Sequence, residues 1–209
     1  MKKTKVIYIL ILILLFTTPI YADQIDLTNG DSFRGEVENS SIRIRTSYAE
    51  LTIQSQYLNK INREEERFVL RASENNKFSG EILNNINFSL NGDQRTFSAS
   101  EINSIDFSNN KAFNNNRKVT ISLKNGDFFF ANTVEDSISV KTSLGSPLNI
   151  RYDNIISIEY LIEEDSYLIR RRDTSEVKVD FAQQKIIVWP AAGDIFELNL
   201  NYLQKLVVN

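Results

Sequence analysis

The feature that most constrains this chain is an internal repeat. Residues 25–61 and residues 121–158 align at a nearly constant offset of about 96 residues, which places Asn29-Gly30-Asp31 on Asn125-Gly126-Asp127. Self-similarity at a fixed period is the signature of a fold built from repeated supersecondary units. The repeat therefore limits the architecture before any single element is considered.

Two more degenerate copies follow these, at about residues 67–107 and 166–208. Acidic triplets at residues 64–66 and 163–165 separate the members of each pair, and they are interpreted as charged linkers. The polar, Asn-rich tract 108–117 separates the pairs. The predicted organisation is a first repeat pair at 23–107, a linker at 108–117 and a second repeat pair at 118–209.

Local patterns within each copy indicate β-strands. Apolar and polar residues alternate, as around Ile42 and Ile44, which is the period of a half-buried strand. Asn-Gly pairs flanked by such segments predict hairpins with type I′ turns, which need positive φ at both central residues. The spacing of Leu58 and Ile61 predicts one tight turn before a last short strand. We expect an all-β fold with about five short strands per copy.

Two segments of the third copy resemble a known family. Residues 119–129, VTISLKNGDFF, are similar to the first Sm motif, and residues 150–158, IRYDNIISI, are similar to the second. The resemblance implies four degenerate small-barrel repeats of the SH3 or Sm-like kind, arranged as two duplicated halves. The repeat also resembles short turn-rich modules of uncharacterised bacterial envelope proteins.

The resemblance also implies a ligand, because Sm proteins hold a uracil with an Arg-Gly-Asp-Asn segment and close into rings. Here Tyr152 replaces the glycine of that segment and Ala131 replaces the family's strand-two glycine. The chain is also acidic, whereas nucleic-acid binding relies on basic side chains that displace counterions. Nucleic acid is therefore not an expected partner.

The first 22 residues predict export. Lys2, Lys3 and Lys5 precede an apolar run at residues 6–16, and Ala22 stands at the expected cut. The run is shorter than the roughly 18–20 residues that span a bilayer as a helix. We expect residues 1–22 to be a signal peptide, the mature protein to be periplasmic or secreted, and no transmembrane segment to remain.

The missing residue types exclude much chemistry. The chain has no histidine and no cysteine, so it cannot build a Ser-His-Asp or Cys-His triad, a thiolate zinc site or a histidine-ligated haem. Carboxylate-only catalysis and oxygen-ligand cation sites remain open. We expect no enzymatic activity, no cofactor and no metal.

Two sets of aromatic residues are the candidate binding sites. Phe129 aligns with Phe33, so strand alternation places Phe128 and Phe130 on the opposite face, where they either pack inside the protein or form a docking patch. Trp189 and Tyr48 fall near equivalent turns, where an aromatic ring can stack on a sugar or complete a half-buried hairpin.

These features favour a non-enzymatic envelope protein that binds or scaffolds through strand edges and an apolar patch. Its expected partner is an envelope protein or a second copy of the chain, with Phe128 and Phe130 as the contact residues. The alternative is a carbohydrate- or cell-wall-binding module that uses Trp189 and Tyr48.

Overall fold

The computed structural model describes residues 22–108, 110–113, 117–142 and 145–209. Over these ranges the chain forms twenty strands and five single-turn 3-10 helices, and every strand pairing is antiparallel. The predicted all-β class is confirmed. No helix in the described ranges is long and apolar enough to cross a membrane. The predicted signal peptide, apart from Ala22, and part of the predicted linker lie outside the described residues.

The first half contains ten strands, five from each copy. Those of the first copy are β1 (Asp23–Leu27), β2 (Ser32–Val37), β3 (Ser41–Arg45), β4 (Glu50–Gln54) and β5 (Leu58–Glu64). Those of the second copy are β6 (Arg67–Ala72), β7 (Lys77–Ile82), β8 (Ile86–Leu90), β9 (Asp93–Phe97) and β10 (Ile102–Asp106). The structure thus contains the five strands per copy that the apolar alternation predicts.

The second half repeats this order. The strands of the third copy are β11 (Val119–Leu123), β12 (Phe128–Thr133), β13 (Ser137–Thr142), β14 (Pro147–Arg151) and β15 (Ile155–Leu161). Those of the fourth copy are β16 (Ser166–Arg171), β17 (Glu176–Phe181), β18 (Lys185–Pro190), β19 (Phe196–Asn199) and β20 (Leu203–Val208).

A 3-10 helix precedes the last strand of every copy. The sequence predicted a turn of this kind in the first and third copies, but the residues that suggested it, Leu58 to Ile61 and Ile155 to Ile158, lie within β5 and β15, and the turn comes just before them. These four helices are Ser55–Tyr57, Ala99–Glu101, Tyr152–Asn154 and Leu200–Tyr202, and a fifth, Ser73–Asn75, connects β6 to β7. Each reverses the chain within three residues, so the last strand of a copy can return across the sheet.

The Asn-Gly turns are of two kinds. Asn91 and Gly92 both have positive φ, which is the predicted type I′ geometry. At Gly30 and Gly126 only the glycine is left-handed. There, the preceding Asn side chain accepts a hydrogen bond from the amide of the following Asp, and a longer connection results.

The acidic triplets are not linkers, which corrects the sequence interpretation. Glu64 pairs with Arg67 across a tight hairpin in which Glu65 is left-handed. A similar hairpin, with Asp165 left-handed, joins β15 to β16. The first copy therefore continues directly into the second, and the third into the fourth, as paired strands.

Within each half the two copies exchange strands. β1 pairs with β10 rather than with β5 of its own copy, and β5 pairs with both β6 and β10. β2 pairs with β8, and β3 pairs with β7. Each five-stranded unit therefore combines two strands of one copy with three of the other, in the orders β10-β1-β2-β8-β9 and β5-β6-β7-β3-β4.

The second half has the same nine pairings as the first. The orders there are β20-β11-β12-β18-β19 and β15-β16-β17-β13-β14, joined by the pairing of β15 with β20. The duplication predicted from the sequence is thus visible in the strand pairing, and each strand of one half has a structural equivalent in the other.

The halves share one apolar core. Phe78 of the first half and Phe129 of the second are stacked with ring centroids 5.4 Å apart, and Tyr48 packs beside Phe129, Phe196 and Tyr202. Main-chain contacts also join the halves: β7 pairs with β12, and residues 191–194 form backbone hydrogen bonds with β4. The two halves therefore form one packed body.

Candidate functional site

The outward face of β12 carries two phenylalanines. Phe129 and Ala131 point into the core and are fully buried, so alternation places Phe128, Phe130 and Asn132 on the opposite face. The rings of Phe128 and Phe130 contact edge to face at 5.4 Å, and both are half-buried. Neither ring belongs to the buried core, and neither is fully exposed.

Trp189 lies on this same face. It stands directly opposite Asn132 in the pairing of β12 with β18, and directly opposite residues of two strands share a face. Its side chain is 47% exposed. We call Phe128, Phe130 and Trp189 the aromatic face. The sequence predicted these rings as two separate sites, and the strand register brings them together.

Polar and cationic groups surround the tryptophan. The guanidinium of Arg117 lies 4.7 Å from the centroid of the Trp189 ring, a cation–π contact. The amide of Lys118 donates a hydrogen bond to the Asn132 side chain at 2.9 Å, and the Lys118 side chain is exposed. Sequence reasoning missed these neighbours, because only the pairing of β12 with β18 reveals them.

The equivalent face of the first half is polar. There Glu36 stands opposite Ser89, at the positions that Asn132 and Trp189 occupy in the second half. Ser32 and Arg34 stand at the positions of Phe128 and Phe130. Two halves with the same strand pairing thus differ at one outward face, which is hydrophilic in one and aromatic in the other.

Tyr48 does not lie on a free surface, so of the two roles that the sequence left open it has that of a hairpin aromatic packed within the protein, not that of an exposed stacking ring. It follows β3 in the turn before β4, as expected, but the second half covers this turn and leaves the side chain 5% exposed. Its ring packs against Phe129, Phe196 and Tyr202. A sugar cannot stack on a ring that fills the contact between the halves.

The hydroxyl of Tyr48 lies near the carboxylate of Asp127 in that contact. It has no hydrogen-bond partner among the described residues, and neither has Oδ1 of the buried Asp127. Burial, and then the nearby carboxylate of Asp127, raise the pKa of the Tyr48 hydroxyl well above its usual value. The site is structural, because the same packing excludes any substrate.

A polar cleft of about 740 Å³ lies beside the crossover from β2 to β3. The acidic residues among its lining are Asp23, Glu36, Glu38 and Asp194, and the described lining residues include no Lys or Arg. Asp23 is engaged within the fold, since its carboxylate accepts hydrogen bonds from the amides of Val37 and Ser108. The charge of this cleft disfavours anionic ligands.

No group of three or more His, Cys, Asp or Glu side chains is placed to hold a metal ion in the part of the chain that the structure describes. The aromatic face and the polar cleft are two surfaces with binding character in this part of the chain. Comparison of the chain with family models, with curated proteins and with solved structures gives no match.

Proposed function

We propose that this chain is an exported, non-catalytic binding protein of the cell envelope that docks a partner protein on its aromatic face. The observation that carries the proposal is the difference between the two halves at equivalent positions. The fold itself does not require aromatic residues there, because the first half makes the same pairings with Ser32, Arg34 and Ser89.

Exposed aromatic rings have a cost in solubility that a function must offset. Contiguous apolar patches on soluble proteins mark interaction sites, and aromatic residues carry much of the binding energy in protein interfaces. Past the end of β12 the same face carries Val134, which is exposed and donates its amide to the carbonyl of Ile187. A further apolar side chain therefore stands beyond Asn132 on this face.

The charges beside the aromatic face suggest the chemistry of the partner. Arg117 and Lys118 lie at one end of it, next to Trp189 and Asn132. A partner segment with apolar side chains followed by acidic ones would complement this arrangement, because facing potentials of opposite sign steer association. The proposed partner is an envelope protein with such a segment.

We also propose that each half is a pair of small SH3- or Sm-like barrels with exchanged strands. The support is the order of strands in each unit, in which the first strand lies between the last and the second, and the one-turn helix before the last strand. Small sheets of this kind leave strand edges and outer faces available for binding.

The test grafts the residues of the first half onto the second. The variant Phe128→Ser, Phe130→Arg, Trp189→Ser carries at each position the residue that the first half already uses. We expect an unchanged far-UV circular dichroism spectrum and the loss of partner cross-links that map to the aromatic face in intact cells. The matched control is Ile162→Ser, which removes a 76% exposed apolar side chain in a hairpin turn elsewhere.

Cross-links that persist in the grafted variant would contradict the proposal. If the triple variant unfolds, Trp189→Ser alone still tests it, since this exposed residue contributes little to the core. Links only between copies of the chain would identify the partner as the protein itself.

The second candidate is a glycan or cell-wall ligand, which the exposure of Trp189 favours. Stacking of a sugar on the free side of this ring would change its fluorescence, and the chain has no other tryptophan. A saturable shift in Trp189 emission with peptidoglycan fragments would establish this alternative. A flat titration over several glycans would remove it.

A further inference from the structure

The fourth strands of the first and third copies, β4 and β14, are structurally equivalent but differ at their outer edges. The edge of β4 is covered by residues 191–194, which run antiparallel to it with Gly193 opposite Ile53. The amide of Gln54 donates to the carbonyl of Ala192 at 2.9 Å, and the amide of Asp194 donates to the carbonyl of Thr52 at 3.1 Å. An extended segment thus completes this edge.

The edge of β14 presents the same main-chain groups, but no segment of the described residues pairs with them. The carbonyl of Asn149 and the amide of Arg151 correspond to those of Thr52 and Gln54. β13 is the only strand that pairs with β14 in the described ranges. Unpaired edge groups of this kind are a template for another strand.

The side chains show that β14 lacks a covering segment. Leu51 on β4 stands opposite Ile44, and Leu148 on β14 stands opposite the equivalent Val140. Leu51 is only 4% exposed, whereas Leu148 is 46% exposed. The difference arises because the second half packs over β4, while the described residues place nothing equivalent over β14.

We propose that the edge of β14 binds an extended segment of a partner protein, antiparallel, with small residues and a glycine opposite Ile150. The bound segment at β4 defines this chemistry. A Cβ atom at Gly193 would overlap the carbonyl oxygen of Thr52, so this register accepts only glycine. Ala191 and Ala192 precede it, so the covering segment has small side chains next to the glycine.

A second copy of this chain does not supply such a segment. Its residues 191–194 already cover its own β4. The connection of the first half that is equivalent to this segment, between β8 and β9, is the two-residue turn Asn91–Gly92, which leaves no extended chain to donate. The site is separate from the aromatic face, and the inference stands without it.

The probe is a capped peptide with the sequence of residues 190–195, titrated into the full ¹⁵N-labelled protein and followed by NMR. We expect saturable shifts at Leu148, Asn149 and Arg151, and slower amide exchange at Arg151, whose amide faces the free edge. A peptide with valine in place of the glycine should bind at least tenfold more weakly. Equal binding of both peptides, or shifts confined to other strands, would overturn the proposal.

Arg151→Pro provides the matched variant. The φ of Arg151 is −67°, which proline adopts without strain, so the substitution removes the outward donor while keeping the backbone. It should abolish peptide binding, and Leu148→Glu should weaken it without any backbone change. Unchanged binding in both variants would refute the site. Sedimentation could instead show dimers that form as the concentration rises and that Arg151→Pro dissociates. That result would assign the edge to a second copy of the chain and overturn the proposal of a separate partner protein.

Discussion

The carboxylate of Asp127 accepts a hydrogen bond from the backbone amide of Ser79 at 2.9 Å, and this bond joins the two halves of the molecule. The same oxygen accepts a bond from the Asn125 side chain within its own turn. Asp127 is 1% exposed. One residue of an Asn-Gly-Asp turn, a feature of both halves, therefore fastens one half to the other.

Asp127→Ala should lower the free energy of unfolding by about 1–3 kcal/mol, because it leaves the buried amide of Ser79 without an acceptor. The matched control is Asp31→Ala at the equivalent turn of the first half, where the aspartate is exposed. The control should cost less than about 0.5 kcal/mol. Urea denaturation measures both, and equal losses would contradict the role of Asp127 between the halves.

Gly193→Ala should disrupt the cover of β4. The added methyl group would overlap the carbonyl oxygen of Thr52, and the strand cannot retreat without losing its two hydrogen bonds to residues 192 and 194. Overpacking of this kind typically costs about 1–3 kcal/mol. Thermal unfolding followed by circular dichroism measures the loss, with the exposed neighbour Asp194→Ala as control. A melting temperature equal to that of the parent protein would show that the segment docks loosely.

Stability should fall at alkaline pH, partly through Tyr48. Burial raises the pKa of Tyr48, and it raises the pKa of Tyr167 to about 12, whereas a tyrosine in the unfolded chain ionises near about pH 10. The unfolded state therefore loses protons first. The contribution is fully present below about pH 10 and is lost as the pH rises toward the folded-state values.

Tyr48→Phe should reduce this alkaline loss, because it removes one of the buried hydroxyls. Urea midpoints measured from about pH 8 to about pH 11 compare the variant with the parent protein. Identical slopes in the two proteins would show that Tyr48 ionises as freely as in the unfolded chain.

The local structure could be predicted from the sequence. Apolar alternation identified five strands per copy, and the spacing of Leu58 and Ile61 indicated a turn at the start of β5, although that turn lies at Ser55–Tyr57 and both residues belong to the strand. Both signals depend on neighbours within a few residues. The outward direction of Phe128 and Phe130 followed from aligning Phe129 with Phe33.

The pairing between copies could not be predicted, because the copies offer nearly the same strands to one another. The hairpin at Glu65 places β6 against one edge of β5, and β10 rather than β1 occupies the other. β1 pairs with β10 on that strand's far edge. The burial of Tyr48 and the position of Trp189 on the same face as Phe128 and Phe130 both depend on such long-range contacts, which no local pattern encodes.

The exchange of strands predicts which fragments can fold. A fragment of residues 22–66 contains β1 and β2 but lacks β10, β8 and β7, with which β1, β2 and β3 pair. A fragment of residues 22–113 keeps all nine pairings of the first half and loses only the contacts to the second. We expect the short fragment to be unfolded at micromolar concentration, and the long one to show a cooperative melt.

The long fragment should also be less stable than the whole chain and should bind an apolar dye, because Phe78 and Tyr48 lose the rings of the second half that cover them. Circular dichroism and dye fluorescence on the two fragments measure these effects. A cooperative melt of the monomeric short fragment would show that a single copy closes on itself, and that the pairing of β1 with β10 is not needed to form the sheet.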